Sequence, residues 1–490
     1  MNRLKNIVFV FKALPEKYLI ILAFAIIYSL ISLVNHYLFR TYALDLGLYS
    51  NSLYDYSHFQ WNDSSIFKTV PENLLADHFD IYLIAYSPLV WIFGSYTLLI
   101  IQIVSVLFGG LGVYRYFVED RFLAAFAMLF FFSFFGVHIA LAYDFHDSVV
   151  VAMLVPWLFV FSKERKMGRC ILMIVILWLG KENSALWIAF ICFGLAILSR
   201  KDRKWFLFYV ISGFFSLIYF MVIMKFVMPG LAVNGKYPHF NYSHLGTTIG
   251  EAVTYLVMHP LDSFQLMVSN FSGDVTADNL KSDLIKYLLF SGILLLFFRP
   301  VYLLMLIPIF FQKLFHNTFT LWGAGYHYCI EFAPILAIGI FEVIGKLKKS
   351  TFRKISAGIM VVLAMSMTYK RLGAAYLYAP EKNLDFLSKE HYVKEYDIKP
   401  VYEAFGLIPD DAIVSCQTSL VPHLANRDFC YTYPVIKDAE YILLAKKDVF
   451  YPVFQDSVFR AGIDHYRRSG AWIKLVDNNE VFLVKKRKSH

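Results

Sequence analysis

Charge and cysteine are scarce in this chain. Of its 490 residues only 17% are charged and five are cysteines. No Cys or His spacing resembles a zinc site, so structural zinc is not what organises the fold. A phosphate-cradling Gly-rich loop and a G-x-S-x-G elbow are both absent, which sets aside the nucleotide and hydrolase chemistry those motifs carry. The chain also lacks internal repeats and low-complexity tracts. Cys170, Cys192 and Cys329 fall in or beside apolar stretches and read as packing residues. Cys416 and Cys430 lie near the C-terminus, where a disulfide is chemically permitted but not fixed by their spacing.

What the chain has in abundance is apolar surface. It is 58% hydrophobic with 48 Phe, and its mean hydropathy is +0.54. One soluble core cannot hide that much, so the class is a polytopic membrane protein. The net charge of +9 does not point to nucleic acid, because Lys and Arg gather in short segments between apolar runs, where they act as topology signals. Arg3, Lys5, Lys12 and Lys17 precede a run from Tyr18 to Phe39 with no small-residue cleavage site. This predicts a retained first helix whose amino end is cytoplasmic.

With a window of roughly 20 residues, further runs fall near 82–93, 96–117, 122–142, 148–162, 170–180, 184–199, 205–228, 284–298, 301–315, 329–345 and 355–372. Basic loops at Lys163 to Arg169, Arg200 to Lys204 and Lys346 to Lys354 are all cytoplasmic by the positive-inside rule. Two of them flank 170–199, which therefore reads as a helical hairpin turning at Gly180-Lys181-Glu182-Asn183. Its first arm of about ten residues is too short to cross about 30 Å, so the turn lies below the outer surface. About eleven crossings result, with 82–93 interfacial and the carboxyl end outside. From about residue 380 the apolar runs shrink to strand length, at Ala412 to Ser415, Tyr441 to Ala445, Trp472 to Val476 and Val481 to Val484, with helix-like stretches such as Pro452 to Arg468 between them. The expected architecture is an all-α polytopic membrane domain over 1–375 followed by a small extracytoplasmic α/β domain over 376–490.

The informative residues are charged groups at the ends of the apolar runs. An ionised side chain there is costly and persists by facing a cavity, a partner or a substrate. Asp45 follows the first run, and His78, Asp144, His146, Lys181, Glu182, His327 and Glu331 sit at similar places, all on the external side by the topology above. Asp45 either serves function or merely caps a helix or binds a headgroup-facing Lys. Asp144 and His146, with Asp147 beside them, are a carboxylate and imidazole pair in a turn where Asn, Gly and Ser would be the bland choice. Lys181 and Glu182 either neutralise one another at the turn or bind a ligand, Lys181 through its charge to a phosphate. His327 and Glu331, four apart, share a helix face if the helix begins that early, as a local pair or as ligand contacts.

The runs Asp45-Leu46-Gly47-Leu48-Tyr49, Asp77-His78-Phe79 with Ser87-Pro88-Leu89, Asp144-Phe145-His146 and Gly180-Lys181-Glu182-Asn183 resemble the family of membrane proteins called domain of unknown function 2079. The likeness continues through Tyr242 to Gly246, Tyr326-His327-Tyr328 with Pro334, Ile408 to Ala412 and Val421 to Arg427. Asn183, where Asp is more usual, and Ser243-His244 depart from the pattern. That family in turn resembles the C-type (GT-C) glycosyltransferases, membrane enzymes that take a sugar from a polyprenyl-phosphate carrier and attach it to an acceptor on the external face.

The resemblance implies an inverting transferase in a bacterial inner membrane. Asp45, by analogy of position, is its general base, and the acceptor is a lipid, glycan or protein. Asp144 and His146 then join Asp45 as catalytic candidates, and His78, Lys181, Glu182, His327 and Glu331 as substrate-binding ones. No cofactor is certain; a divalent ion held by Asp45, Asp144 and His146 is the open alternative. Two other classes stand beside this reading. One is a transporter or flippase of a lipid-linked or anionic solute, which usually shows internal repeats and a midplane site. The other is a non-catalytic envelope protein acting through its external domain.

Overall fold

The computed structural model describes residues 15–63, 65–67, 70–373, 385–448, 453 and 455–487. The basic residues Arg3, Lys5 and Lys12, the expected domain boundary at 375/376 and the segment around Pro452 lie outside the described residues.

The chain opens with helix Glu16–Tyr37, whose buried positions Phe24, Tyr28, Ile31, Ser32, Asn35 and His36 recur at helical spacing and face the bundle. Other apolar side chains on it, Leu22 and Ile26 among them, are exposed. Among the described residues, five helices are long and apolar enough to cross a membrane: Glu16–Tyr37, Tyr82–Tyr116, Arg203–Leu231, His327–Gly345 and Ser350–Leu372. Arg121–Ser133 and Phe135–Ala142 make a sixth span if the pair, bent by 44°, is counted as one. Shorter helices, Asp147–Lys163, Met167–Trp178, Ser184–Leu198 and Val301–Phe315, complete the bundle. Residues 82–93 are a series of short helical turns broken at Ser87–Leu89 and Gly94–Tyr96.

The hairpin at 180–183 is present. Cys170 contacts Tyr209 at 3.6 Å and Trp178 donates to Ser216 at 2.9 Å, so Met167–Trp178 runs parallel to Arg203–Val222. Ser184–Leu198 returns against that same helix, with Phe193 packed on Phe214. The basic loops share one end of the bundle, where Arg165 lies 3.9 Å from Asp202, Arg115 lies 2.8 Å from Glu164, and Arg353 lies 3.0 Å from Asp120. The turns at 40–47, 143–147, 179–183 and 316–327 gather at the other end.

Onto that second end packs a five-stranded sheet with strands β1 (Val414–Cys416), β2 (Cys430–Thr432), β3 (Tyr441–Ala445), β4 (Trp472–Asp477) and β5 (Val481–Lys486), in the order β2-β1-β3-β5-β4. β1 is parallel to β2 and β3, whereas β5 is antiparallel to β3 and β4. Helix Asp456–Arg468 covers one face through Phe459 and Ile463, which meet Tyr433, Ile442, Leu444, Phe482 and Val484. β2 has no counterpart among the expected strands, since a three-residue strand is too short to show a period of two. It pairs with β1 so that Cys416 and Cys430 sit with their sulfurs 4.0 Å apart as thiols.

The sheet is tied to the first turn after helix Glu16–Tyr37. Arg40 donates to the carbonyls of His391 at 2.7 Å and Val393 at 2.6 Å. Asn51, fully buried in helix Leu48–Ser57, donates to the carbonyls of Ala425 at 3.2 Å and Arg427 at 2.8 Å. Asn51→Ala strands both acceptors in a dry interface, at a cost of about 1–3 kcal/mol. The expected outcome is a lower melting temperature for purified Asn51→Ala in detergent; melting equal to wild type would show that these bonds do not hold the sheet to the bundle.

Candidate functional site

Asp45 sits on a single π-helical turn, Ala43–Gly47, of the kind often found at functional sites. Both sides of the turn are held. From the bundle, the Asp144 carboxylate accepts from the Tyr42 amide at 2.9 Å; from the sheet side, Thr418 accepts from the Ala43 amide at 3.3 Å. Gly47 is required by this close approach, because a Cβ there would lie 2.8 Å from Val421 Cγ1.

Asp144 is buried and adopts a left-handed backbone with φ 53°. Gln102, fully buried in helix Thr97–Tyr116, splints that turn by donating to the Asp144 carbonyl at 2.8 Å and accepting from the His146 amide at 2.9 Å. The splint aims His146 back at the first turn, placing its Nε2 3.5 Å from Asp45 Oδ1. The His146 ring stacks on His327 with centroids 3.4 Å apart.

These groups line a cavity of about 340 Å³. Every sequence candidate except Asp144 contributes to its wall: Asp45, His78, His146, Lys181, Glu182, His327 and Glu331. Asp144 is turned to the Tyr42 amide and acts from behind. The divalent ion considered for Asp45, Asp144 and His146 therefore does not fit this arrangement, since one of the three carboxylate and imidazole donors does not face the cavity.

The charged pairs differ from those expected. Glu182 is paired with His78, Oε1 to Nδ1 at 3.5 Å, and accepts from the Phe79 amide at 3.2 Å, so it is not consumed by Lys181. Lys181 makes no ion pair within 4 Å among the described residues. His327–Glu331 is a 3-10 turn ahead of helix Phe332–Gly345, and four residues do not align on one face of that tighter coil. Glu331 instead meets the fully buried Lys313 at 3.1 Å. Burial holds the cavity-lining His316 down to about 4, leaving it neutral near pH 7. Beneath the cavity Asp80, which caps the Tyr82 amide at 2.9 Å, is buried beside Asp147. Burial first, and then the Asp147 charge, push the Asp80 carboxyl well up.

Sequence reasoning passed over Gln102, Lys313 and His239, and read Asp80 as no more than a carboxylate wetting an interfacial helix. Gln102 and Lys313 carried a usable signal, each a polar residue inside an apolar run. His239 carried none; it reaches the cavity from a loop of irregular backbone and lies 3.0 Å from Asp77.

The apolar helices are those of a multi-pass membrane protein. The fold is similar to the crystal structure of ArnT from Cupriavidus metallidurans bound to undecaprenyl phosphate, with a TM-score of 0.53 over 95% of this chain and 97% of that one, at 12% identity. The chain belongs to the family described as predicted membrane protein (DUF2079), whose profile matches residues 35–483. No curated protein matches it in sequence.

The buried Lys313–Glu331 pair is expected to matter chiefly through the charge left behind when it is broken. Lys313→Met alone strands a buried carboxylate and costs about 3–5 kcal/mol, whereas Lys313→Met with Glu331→Gln recovers most of that loss. Thermal unfolding of the two variants in detergent decides; equal melting of single and double variants would show that the pair is not coupled.

Proposed function

We propose that this protein is a membrane glycosyltransferase that moves a sugar from a polyprenyl-phosphate carrier to a hydroxyl acceptor on the external face, with Asp45 as general base. The observation that carries the reading is a carboxylate clamped in the wall of a cavity that also presents His146, His327 and Lys181, within a fold shared over nearly the whole chain with a protein crystallised with undecaprenyl phosphate.

A polyprenyl-phosphate sugar already bears its leaving group, so the protein need supply only a base and a place for the departing charge. Asp45 takes the proton of the acceptor hydroxyl as its oxygen attacks the anomeric carbon, and the configuration inverts. His146, 3.5 Å from Asp45, orients the carboxylate and is in turn held by the His327 ring. The phosphate leaves toward Lys181 and His327, the cation and donor that line the same space. Leu186, Trp187, Phe220 and Met224 form an apolar side of the cavity, on helices Ser184–Leu198, Arg203–Val222 and the turn after it, suited to the first prenyl units. Helices Ile249–Met258 and Pro260–Val268 expose Val257, Met258, Leu261 and Phe264 and extend that surface toward the bilayer.

The membrane in question is a bacterial inner membrane. The basic end of the bundle and the amino terminus face the cytoplasm, and the cavity and the sheet-bearing 376–490 domain face outward. Counting the bent pair, the four shorter helices and the broken segment Leu280–Phe290 with Ile293–Phe298 as spans gives about eleven crossings.

Asp45→Asn keeps size and turn geometry while removing the base, and is expected to lower transfer by about 10²–10⁴-fold with insertion and expression unchanged. The check is mass spectrometry of envelope glycans and glycolipids from a deletion strain rescued with wild type or Asp45→Asn at matched protein level. A sugar-sized mass difference restored only by wild type is the expected result; equal restoration by both removes Asp45 from the chemistry.

A further inference from the structure

We infer that Asp77, His78 and His239, with Glu182 alongside, form a divalent transition-metal site that fastens the 232–248 loop across the cavity. One ligand atom from each of Asp77, His78 and His239 lies within 4.8 Å of the other two. His239 Nε2 is 3.0 Å from Asp77 Oδ1, and His78 Nδ1 is 3.5 Å from Glu182 Oε1. These separations bracket roughly 3.4 Å, the edge of a tetrahedron with bonds of about 2.1 Å, as around zinc. The donors come from separate segments: the turn after the short helix Leu74–Ala76, the tip of the 180–183 hairpin, and the loop between Met228–Leu231 and Ile249–Met258.

The ion pairs of the cluster, His78 with Glu182 and His239 with Asp77, are not aligned as hydrogen bonds. His78 Nδ1 and His239 Nε2 are buried atoms without a hydrogen-bond partner, although each has a carboxylate oxygen close by. The two imidazoles stack at 4.7 Å with planes 10° apart. Two imidazoles and a carboxylate, with the Glu182 carboxylate beside them, are a donor set that Zn²⁺ or Mn²⁺ takes, and the absence of thiolate disfavours softer ions. Nearly parallel rings cannot both aim a lone pair at one point, so seating the ion swings the His239 ring. That ring sits on irregular loop backbone and is partly exposed.

The structural consequence concerns the loop. Tyr237, Phe240 and Tyr242 on it line the cavity. Among the described residues its other polar ties include Val233 to Glu72 at 2.8 Å and His244 to Asn317 at 2.7 Å, on either side of His239. An ion at His239 pins the middle of the span. The site is distinct from the Asp45 and His146 pair, and it stands whether or not the cavity transfers sugar.

The test uses the full-length protein in detergent, stripped with chelator and titrated with Zn²⁺ and, separately, Mn²⁺ by calorimetry, alongside trypsin cleavage after the exposed Lys236. Wild type is expected to bind one ion per chain and to be cut more slowly when loaded. His239→Gln and Asp77→Asn are expected to bind at least about tenfold more weakly and to gain no protection, while His146→Gln behaves as wild type. No binding by wild type, or binding by His239→Gln at wild-type strength, overturns the site. Loss of binding in His146→Gln with retention in His239→Gln relocates the ion to the Asp45 region and also overturns it. None of these readouts involves sugar, so failure here is distinguishable from failure of the transferase reading.

Discussion

The hydrogen bond from the Tyr42 amide to the Asp144 carboxylate is the contact on which the site depends. It reaches across more than a hundred residues of chain to fix a turn that would otherwise be an unsupported link between two helices. The Asp144 backbone that makes it possible is itself strained, because a non-glycine residue with positive φ costs of order 1–3 kcal/mol. Gln102 offsets that strain by holding the carbonyl of Asp144 and the amide of His146 at once. One buried amide thus sets the positions of both Asp144, which shapes the turn under Asp45, and His146, which meets the Asp45 side chain. The sheet closes the clamp from the other side through Thr418 and Val421, so the C-terminal unit is part of the site's support.

Around that clamp the charges are arranged in layers. Glu331 at the cavity wall and the fully buried Lys313 neutralise one another, and Glu182 is paired with His78 and accepts from a backbone amide. Neutral His316 adds no charge. Lys181 and Asp45, the latter 3.5 Å from His146, are a cation and a carboxylate facing the same cavity. A transferase using a phosphate-linked donor needs one group of each sign at separate points, a base for the incoming hydroxyl and a cation for the outgoing phosphate, and must keep them from quenching each other. Lys181 and Asp45 come from different turns and do not form an ion pair with each other.

Much of this could be read from sequence because the membrane makes polar residues conspicuous. Asp45, His146, Lys181 and His327 stand at the ends of apolar runs, and parity of the runs alone assembles those ends in one place. The hairpin at 180–183 followed from charge on either side of a stretch too short to cross twice. Less legible were features that depend on local coil geometry. Asp144 looked equivalent to Asp45, yet its positive φ turns the carboxylate into the protein. His327 and Glu331 are separated by a 3-10 turn, which a spacing of four cannot distinguish from an α-helix. Lys313 and Gln102 were hidden inside apolar runs that a hydropathy window averages over, and His239 lies in a loop whose path no periodicity encodes.

Native mass spectrometry of the purified protein tests the carrier-lipid reading most directly. A polyprenyl phosphate, with or without its sugar, is expected to remain bound at one per chain in wild type and to be lost from Lys181→Met, whose bulk phospholipid is unchanged. Retention of ordinary phospholipid alone, or a polyprenyl phosphate held equally by wild type and Lys181→Met, would contradict the assignment of this cavity to the donor.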